Sequence, residues 1–239
     1  MTSKQKKNLK KLITAFIVVA LGFVASYGKN ITSILSNSSY ETVTLDAIED
    51  YDGTPYIELN NNIPNFTEDD KVISNLEEYS ELDELNRCGI AYACLSKDTM
   101  PTSKRTSIGM IKPSGWHTVR YDDLVDGKYL YNRCHLIAYC LAGENANEKN
   151  LITGTRYLNI EGMLPYETQV ANYIDDTNNH VLYRVAPIFK DDELVCRGVT
   201  IEAYSIEDYG EGICFYVYLY NVQPGIEIDY LTGESKRAK

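Results

Sequence analysis

Three runs rich in β-branched and aromatic residues lie in the C-terminal third of the chain and constrain its fold more than any other feature. They read HVLYRVAPIF, LVCRGVTIEAYSI and ICFYVYLYNV, and the polar segment SIEDYGEG joins the last two. β-Branched and aromatic residues favour strands, whereas clusters of Gly, Asp and Ser favour turns. The pattern therefore predicts three strands of one sheet, two of them connected by a turn.

Shorter strand-like runs and one helical pattern precede these three strands. CGIAYACL is typical of a buried strand, and KYLY and NLITGT predict two more. Positions 156, 159, 163, 167 and 170 then recur at helical spacing, and Thr155 can cap that helix. We expect an α+β fold, in which a mixed or antiparallel sheet carries an inserted strand, loop and helix.

The N-terminal segment has the pattern of an export signal. Residues 1–11 contain lysines and no acidic residue, and the apolar run LITAFIVVALGFVA follows them. A run of about 14 residues is shorter than the roughly 20 that span a membrane, which favours a signal peptide. A retained anchor with its lysines inside also agrees with the pattern. In both cases the remaining residues would face the outside of the cell.

Charge and cysteine content limit the partners of the chain. The net charge of −11 argues against a polyanionic partner, but residues 87–140 carry eight Lys and Arg against four Asp. This basic stretch is where we expect contacts to phosphate. The six cysteines permit disulfides in an exported chain, and the absence of any CxxC pair argues against a zinc knuckle.

Residues 129–167 combine side chains that can act together in catalysis. His135 stands at the end of a predicted strand, and a neutral imidazole is suited to removing a proton from water. Asn150, Asn159 and Glu167 follow on the next predicted strand and helix. If the strand and the turn fold back on the helix, the side-chain oxygen atoms of these three residues can converge on one hydrated cation. Magnesium prefers oxygen ligands and keeps several of its waters.

These motifs resemble those of the DNA/RNA non-specific endonucleases of the ββα-metal class, and most closely their streptodornase-like subgroup. The family signature is Asp-Arg-Gly-His with an asparagine on the following helix. Here the chain has Asn132-Arg133-Cys134-His135 and then TGTRYLN, which ends at Asn159. RCGIAYACL, KRTSIGMIKPSGW, NRCHLIAY and NLITGTRYLN also look like that subgroup, so the resemblance covers residues 82–189. We interpret the replacement of the signature Asp and Gly as a mark of the subgroup and not of an inactive protein.

The resemblance implies a role for each matching residue. His135 matches the general base, Asn159 the protein ligand of the magnesium ion, and Asn150 a supporting asparagine. Glu167 falls where the family places a carboxylate that orients the waters of the metal. The candidates for phosphate contact are Arg133, Arg156 and Arg184.

The function implied is a magnesium-dependent endonuclease, with manganese as a substitute, that cuts DNA or RNA outside the cell and leaves 5′-phosphate ends. Contacts confined to phosphate and sugar would make cleavage largely independent of sequence. We divide the chain into residues 1–28 as signal peptide or membrane anchor, 29–75 as an acidic linker with an edge strand, and 76–239 as the endonuclease domain. Membrane contact would be restricted to the N-terminal segment, and no protein partner is implied.

Other interpretations of the same residues stay open. A catalytically silent protein that captures extracellular DNA would not require His135, and a structural cell-surface protein would leave residues 129–167 unexplained. A thiol nucleophile at Cys134 is disfavoured, because neighbours on a strand point to opposite faces. His117 and His180 are expected to be structural or solvated. The twenty tyrosines could stack on bases, but they are more typical of amphipathic sheet residues.

Overall fold

The computed structural model describes residues 43–239, so the predicted export segment lies outside the described residues. The strands are β1 (Tyr56–Glu58), β2 (Glu77–Tyr79), β3 (Ala91–Leu95), β4 (Tyr131–His135), β5 (Leu151–Thr155), β6 (Val181–Ile188), β7 (Gly198–Ser205), β8 (Cys214–Tyr220), β9 (Ile226–Ile228) and β10 (Ser235–Arg237). The helices are α1 (Tyr139–Ala142) and α2 (Leu164–Thr177), and a π-helical segment (Leu158–Met163) leads directly into α2. Within residues 43–239, no helix combines the length and apolarity needed to cross a bilayer.

The central element is a six-stranded sheet with the strand order β1-β8-β7-β6-β3-β2. All five of its strand pairs are antiparallel, which confirms the predicted α+β class. The three C-terminal runs form β6, β7 and β8, and the predicted turn joins β7 to β8. TPYIEL contributes the edge strand β1, and residues 43–75 belong to the same compact unit as the rest of the described chain.

One face of the sheet packs against α2 and the β4–β5 hairpin to form the main core. Val170 and Ile174 of α2 are completely buried against strand residues such as Tyr183 and Val217. Full burial of one aliphatic side chain contributes about 1.5–3 kcal/mol, so this interface holds the helix firmly on the sheet. The packing of α2 therefore also determines the position of the π-helical segment that precedes it.

The β4–β5 hairpin and the following helix form a strand–strand–helix unit beside the sheet. Leu158 N–H donates to the Thr155 hydroxyl oxygen at 2.9 Å, so Thr155 makes the capping contact that the sequence predicts. The Leu164 N–H donates to the carbonyl oxygen of Asn159 five residues earlier. Pro165 has no N–H of its own to donate, and the helical path widens just before it.

All six cysteines lie in the described part of the chain, and all six are free thiols. Four of them are buried, namely Cys88, Cys94, Cys134 and Cys196. The disulfides that the composition permits are therefore not formed, and apolar burial stabilises the fold without them.

Candidate active site

A cavity of about 660 Å³ opens beside β4 and the start of the helix. His135, Arg133, Asn159 and Glu167 all line this cavity, although they come from β4, the π-helical segment and α2. The hairpin brings the end of β4 next to the start of β5, and the helix that follows β5 returns across the same opening. The structure thus brings together four of the seven predicted site residues.

The protonation of His135 is fixed by a main-chain carbonyl group. Nε2 of the ring lies 2.9 Å from the carbonyl oxygen of Asn145. A carbonyl oxygen can only accept, so Nε2 carries the hydrogen and Nδ1 keeps the lone pair of the neutral ring. Nδ1 in turn lies 3.3 Å from Nη2 of Arg105, which donates to it. Nδ1 is therefore the basic atom of this imidazole.

Burial lowers the pKa of His135 below its ordinary value, and the positive charge of Arg105 lowers that pKa further. The contact with the Asn145 carbonyl opposes both effects. His135 is only 6% exposed, so its charged form would lose most of its hydration. At neutral pH His135 is consequently neutral and able to accept a proton.

Arg105 belongs to an irregular loop that four hydrogen bonds tie to the cavity wall. Tyr139 Oη donates to the Ser103 carbonyl, and the Asn145 side-chain amide donates to Thr106. Arg133 Nη2 donates to the Gly109 carbonyl at 2.9 Å, and Arg133 Nε to the Ile111 carbonyl. The loop is thereby fastened over the cavity, with the guanidinium group of Arg105 held beside the histidine.

Asn159 and Glu167 present oxygen atoms to the cavity that no other described residue engages. Neither side chain forms a hydrogen bond or ion pair with another residue between 43 and 239, although both line the wall. Burial raises the pKa of Glu167 to about 7, and Arg105 opposes that rise. A bound cation would favour the ionised carboxylate.

These two oxygen donors could hold a divalent metal ion. Oxygen ligands suit hard cations such as magnesium, which is commonly held by one or two protein oxygens and keeps several waters. Asn159 could bind the ion directly, and Glu167 could accept hydrogen bonds from its waters.

Arg133 lies in the cavity wall, where its side chain binds the loop that carries Arg105. Besides its two bonds to the loop carbonyls, its guanidinium group stacks on Trp116, with 3.9 Å between the Arg133 carbon Cζ and the ring centroid. Its charge still contributes to the cavity. Its geometry indicates a residue that orders the loop around Arg105.

Asn150 and Arg156 are not among the residues that line the cavity. Asn150 is fully buried, and its amide group bonds to both the N–H and the carbonyl of Ile137, at 2.8 and 3.0 Å. It supports the site only by shaping the chain after β4. Arg156 is not part of the cavity wall, and its Nη2 lies 3.4 Å from a carboxylate oxygen of Asp126.

The expectation that Arg184 contacts phosphate needs correction. It lies on β6 directly opposite Glu202 of β7, and its Nε lies 2.6 Å from Oε1 of Glu202. The Arg184 side chain is 4% exposed and that of Glu202 is 1% exposed. Its register neighbours Tyr183 and Val185 face the main core, so Arg184 points to the other side of the sheet. A guanidinium group buried there cannot reach a substrate in the cavity.

The sequence hypothesis did not single out Arg105, Asn145 or Tyr129. Arg105 lies within KRTSIGMIKPSGW, one of the segments on which the family resemblance rests. Its position in that segment was the sequence signal that could have pointed to it. Asn145 contributes a main-chain atom, for which no side-chain pattern exists. Cys134 is completely buried in the core beside His135, and burial raises the pKa of its thiol, in agreement with its exclusion as a nucleophile.

Both the sequence and the fold are similar to those of known proteins. Residues 67–206 match the family model described as DNA/RNA non-specific endonuclease. NucA from Streptococcus agalactiae, known with no metal bound and with a magnesium ion bound, is 30% identical with a TM-score of 0.66. The match to the metal-free form covers 76% of this chain and 86% of NucA.

Two further structures are similar at lower identity. The Sda1 nuclease with a bound zinc ion is 28% identical, with a TM-score of 0.59 over 68% of this chain and 81% of Sda1. A protein described as an extracellular endonuclease is 22% identical, with a TM-score of 0.54 over 79% of this chain and 100% of its own. At that identity the last match supports the fold alone.

Proposed function

The chain belongs to the DNA/RNA non-specific endonuclease family, and from this premise we propose that it is a magnesium-dependent enzyme in which His135 acts as general base and Asn159 holds the metal. The observation that carries the proposal is the shared cavity. A histidine with its lone pair on Nδ1 and two unengaged oxygen side chains, Asn159 and Glu167, line one opening. A protein that only bound DNA would need neither the base nor the unpaired oxygens.

His135 begins the reaction by removing a proton from water through Nδ1. The water oxygen forms a bond to phosphorus while the bond from phosphorus to the 3′-oxygen breaks. The products are a 5′-phosphate end and a 3′-hydroxyl end. The leaving 3′-oxygen takes its proton from solvent, and His135 afterwards returns the proton that it accepted to solvent. Nε2 keeps its hydrogen bond to the Asn145 carbonyl, which stabilises the imidazolium as it forms.

Arg105 is the residue best placed to bind the phosphate. In the structure it donates to Nδ1 of His135, the atom that must accept the proton. The attacking water needs that position, so Arg105 has to turn from the base towards the substrate. Its side chain is exposed and free to do so, and a guanidinium group matches the geometry of phosphate oxygens.

The metal would be held by Asn159 directly and by Glu167 through its waters. When bound, a magnesium ion supplies positive charge that stabilises the phosphate and leaving oxygens in the transition state. Manganese can substitute because it accepts the same oxygen ligands.

The substrate is DNA or RNA, and the place of action is outside the cell. The proposal of an extracellular enzyme rests on the lysine-rich start and apolar run of the sequence. Cleavage with little sequence preference follows if the contacts are to phosphate and sugar.

A plasmid assay tests this function. We expect supercoiled DNA to be nicked and then degraded in magnesium or manganese, with no cleavage after a chelator is added. Fragments should be ligatable without added kinase, since they carry 5′-phosphate ends. Undiminished cleavage in chelator would contradict the metal assignment, and binding of the plasmid without cleavage in magnesium would favour the silent DNA-capture protein.

A further inference from the structure

Four aromatic side chains line the catalytic cavity, and three of them are at least partly buried. Trp116 lies under a guanidinium group, and the hydroxyls of Tyr131 and Tyr139 donate to main-chain carbonyl oxygens. Tyr129 also has a guanidinium group, that of Arg120, near its ring, but it differs from these three in exposure. The residue is 49% exposed, and its hydroxyl bonds to no other residue between 43 and 239. An aromatic ring left open inside a reaction cavity can receive a flat partner.

The surroundings of Tyr129 hold its ring in one place. It forms an antiparallel bridge with Arg120, and the Arg120 guanidinium lies 5.3 Å from the centre of the Tyr129 ring. That guanidinium is itself fixed by hydrogen bonds of 3.0 and 2.9 Å to the carboxylate of Asp122. Gly127 and Lys128, with φ of 76° and 72°, make the tight turn that leads into Tyr129. Because these contacts already restrict the Tyr129 side chain, it loses little conformational entropy when a flat group stacks on its ring.

The distance from Tyr129 to His135 corresponds to the length of a few nucleotides. Tyr129 precedes His135 by six residues, which in an extended strand span at most about 20 Å. Arg120 and Lys128 beside the ring share one carboxylate, that of Asp122, so the three side chains keep one net positive charge for the phosphates of a strand running along this wall.

We propose that Tyr129 is a stacking platform for one unpaired nucleobase, at a fixed offset from the phosphate that His135 attacks. The inference rests on the proposed nuclease function and adds its substrate class, a single-stranded or locally unpaired segment. Every base offers a π face, so such a platform is compatible with cleavage that ignores sequence. A base within a duplex must first be unpaired and turned out of its stack to reach the ring.

An oligonucleotide with one abasic residue tests this platform. A uniform single strand of about 20 nucleotides, end-labelled and carrying one abasic residue near its centre, is cleaved in magnesium, and the products are resolved to single nucleotides. In the abasic strand, wild-type protein should cut one phosphodiester, a few positions from the abasic residue, about 5- to 150-fold less than the same bond in the intact strand. That range corresponds to the loss of one base–aromatic stack, and we call the weakly cut position the gap. Tyr129→Ala should show no gap, because it should cut every bond of the intact strand at the same reduced level.

Two further variants separate stacking from a structural role. Tyr129→Phe keeps the ring and should keep the gap. Tyr209→Ala removes a tyrosine that is 85% exposed outside the cavity wall, and it should show the wild-type pattern. Tyr129→Ala should also lose more activity on single strands than on duplex DNA.

The outcomes that overturn the inference are distinct from failure of the nuclease function. A wild-type enzyme that cuts the abasic strand without a gap, or a Tyr129→Ala variant that keeps the gap, removes the stacking platform and leaves the nuclease intact. A wild-type protein that cuts no strand in magnesium removes the proposed function, and the platform with it.

Discussion

The chemistry of His135 depends on two neighbours that are distant in sequence. The Asn145 carbonyl sets which nitrogen is basic, and Arg105 sits on that nitrogen in the absence of substrate. The buried position of His135 and the nearby positive charge both lower its pKa, which keeps it in the basic form at neutral pH.

Removal of Arg105 should shift the pH profile of the enzyme. At saturating magnesium, which favours the ionised form of Glu167, the acidic limb of kcat/KM reports protonation of His135. In the wild type this limb should lie below the ordinary value of about 6.5 for histidine. Arg105→Gln removes one of the two effects that lower the pKa of His135, so the limb should move to higher pH. Lys104→Gln, which removes a neighbouring charge on the same loop, is the control. A limb that stays in place or moves to lower pH in Arg105→Gln would contradict this coupling.

At the scale of elements, two asparagines show that the same residue type can shape an element or serve the chemistry. Asn150 uses its whole amide group to hold Ile137 after β4, whereas Asn159 offers its amide to the cavity from the π-helical segment. The structure separates their roles because one is fully buried and bonded and the other is open.

The matched pair Asn150→Ala and Asn159→Ala tests this separation. Asn150→Ala leaves a buried N–H and a buried carbonyl of Ile137 without partners, at a cost of about 1–3 kcal/mol each, so the melting temperature should fall by several degrees. Asn159→Ala loses no internal hydrogen bond, and its stability should stay within about 0.5 kcal/mol of wild type, while turnover falls by about 100-fold or more. Thermal unfolding and initial rates in saturating magnesium measure both. Equal stability loss in the two variants would contradict the assignment of Asn159 to the metal.

The elements were predictable where periodicity and composition determine them. Strands β6, β7 and β8 follow from β-branched and aromatic runs, and the cap at Thr155 follows from its position before a helical pattern. The widened turn at Leu158–Met163 was not predictable, since residue spacing assumes a regular helix and the proline that follows it interrupts the hydrogen-bond ladder. Arg184 was misjudged because β6 is apolar on both sides, and only pairing with β7 shows which face Arg184 occupies.

For the whole molecule, an acidic surface and a locally basic cavity have to coexist. The chain carries −11 net charge, yet Arg105 and Arg133 line the cavity. The acidic remainder repels the substrate at long range, and the cavity attracts it within about a Debye length of 8–10 Å at moderate salt. Sequence alone showed the basic stretch, but the loop that folds it over His135 depends on tertiary hydrogen bonds.

Binding should consequently depend strongly on salt. With about two to three phosphate contacts, KM for duplex DNA should rise roughly 10- to 40-fold between about 50 and 200 mM monovalent salt at constant magnesium, because each contact releases counterions. Steady-state kinetics across that range measure the slope. A KM that does not change with salt would show that phosphate contacts do not carry binding.

The central claim is that His135 removes the proton from the attacking water, and chemical rescue tests it most directly. His135→Gly should cut about 10²- to 10⁴-fold more slowly than wild type, the usual contribution of a general base, while circular dichroism shows an intact fold. Glycine leaves a space of imidazole shape at the cavity wall, so free imidazole should restore part of the activity in proportion to its neutral fraction. Asn159→Ala, which keeps the base, should not respond to imidazole. A folded His135→Gly protein that cuts DNA at the wild-type rate without imidazole would contradict the account.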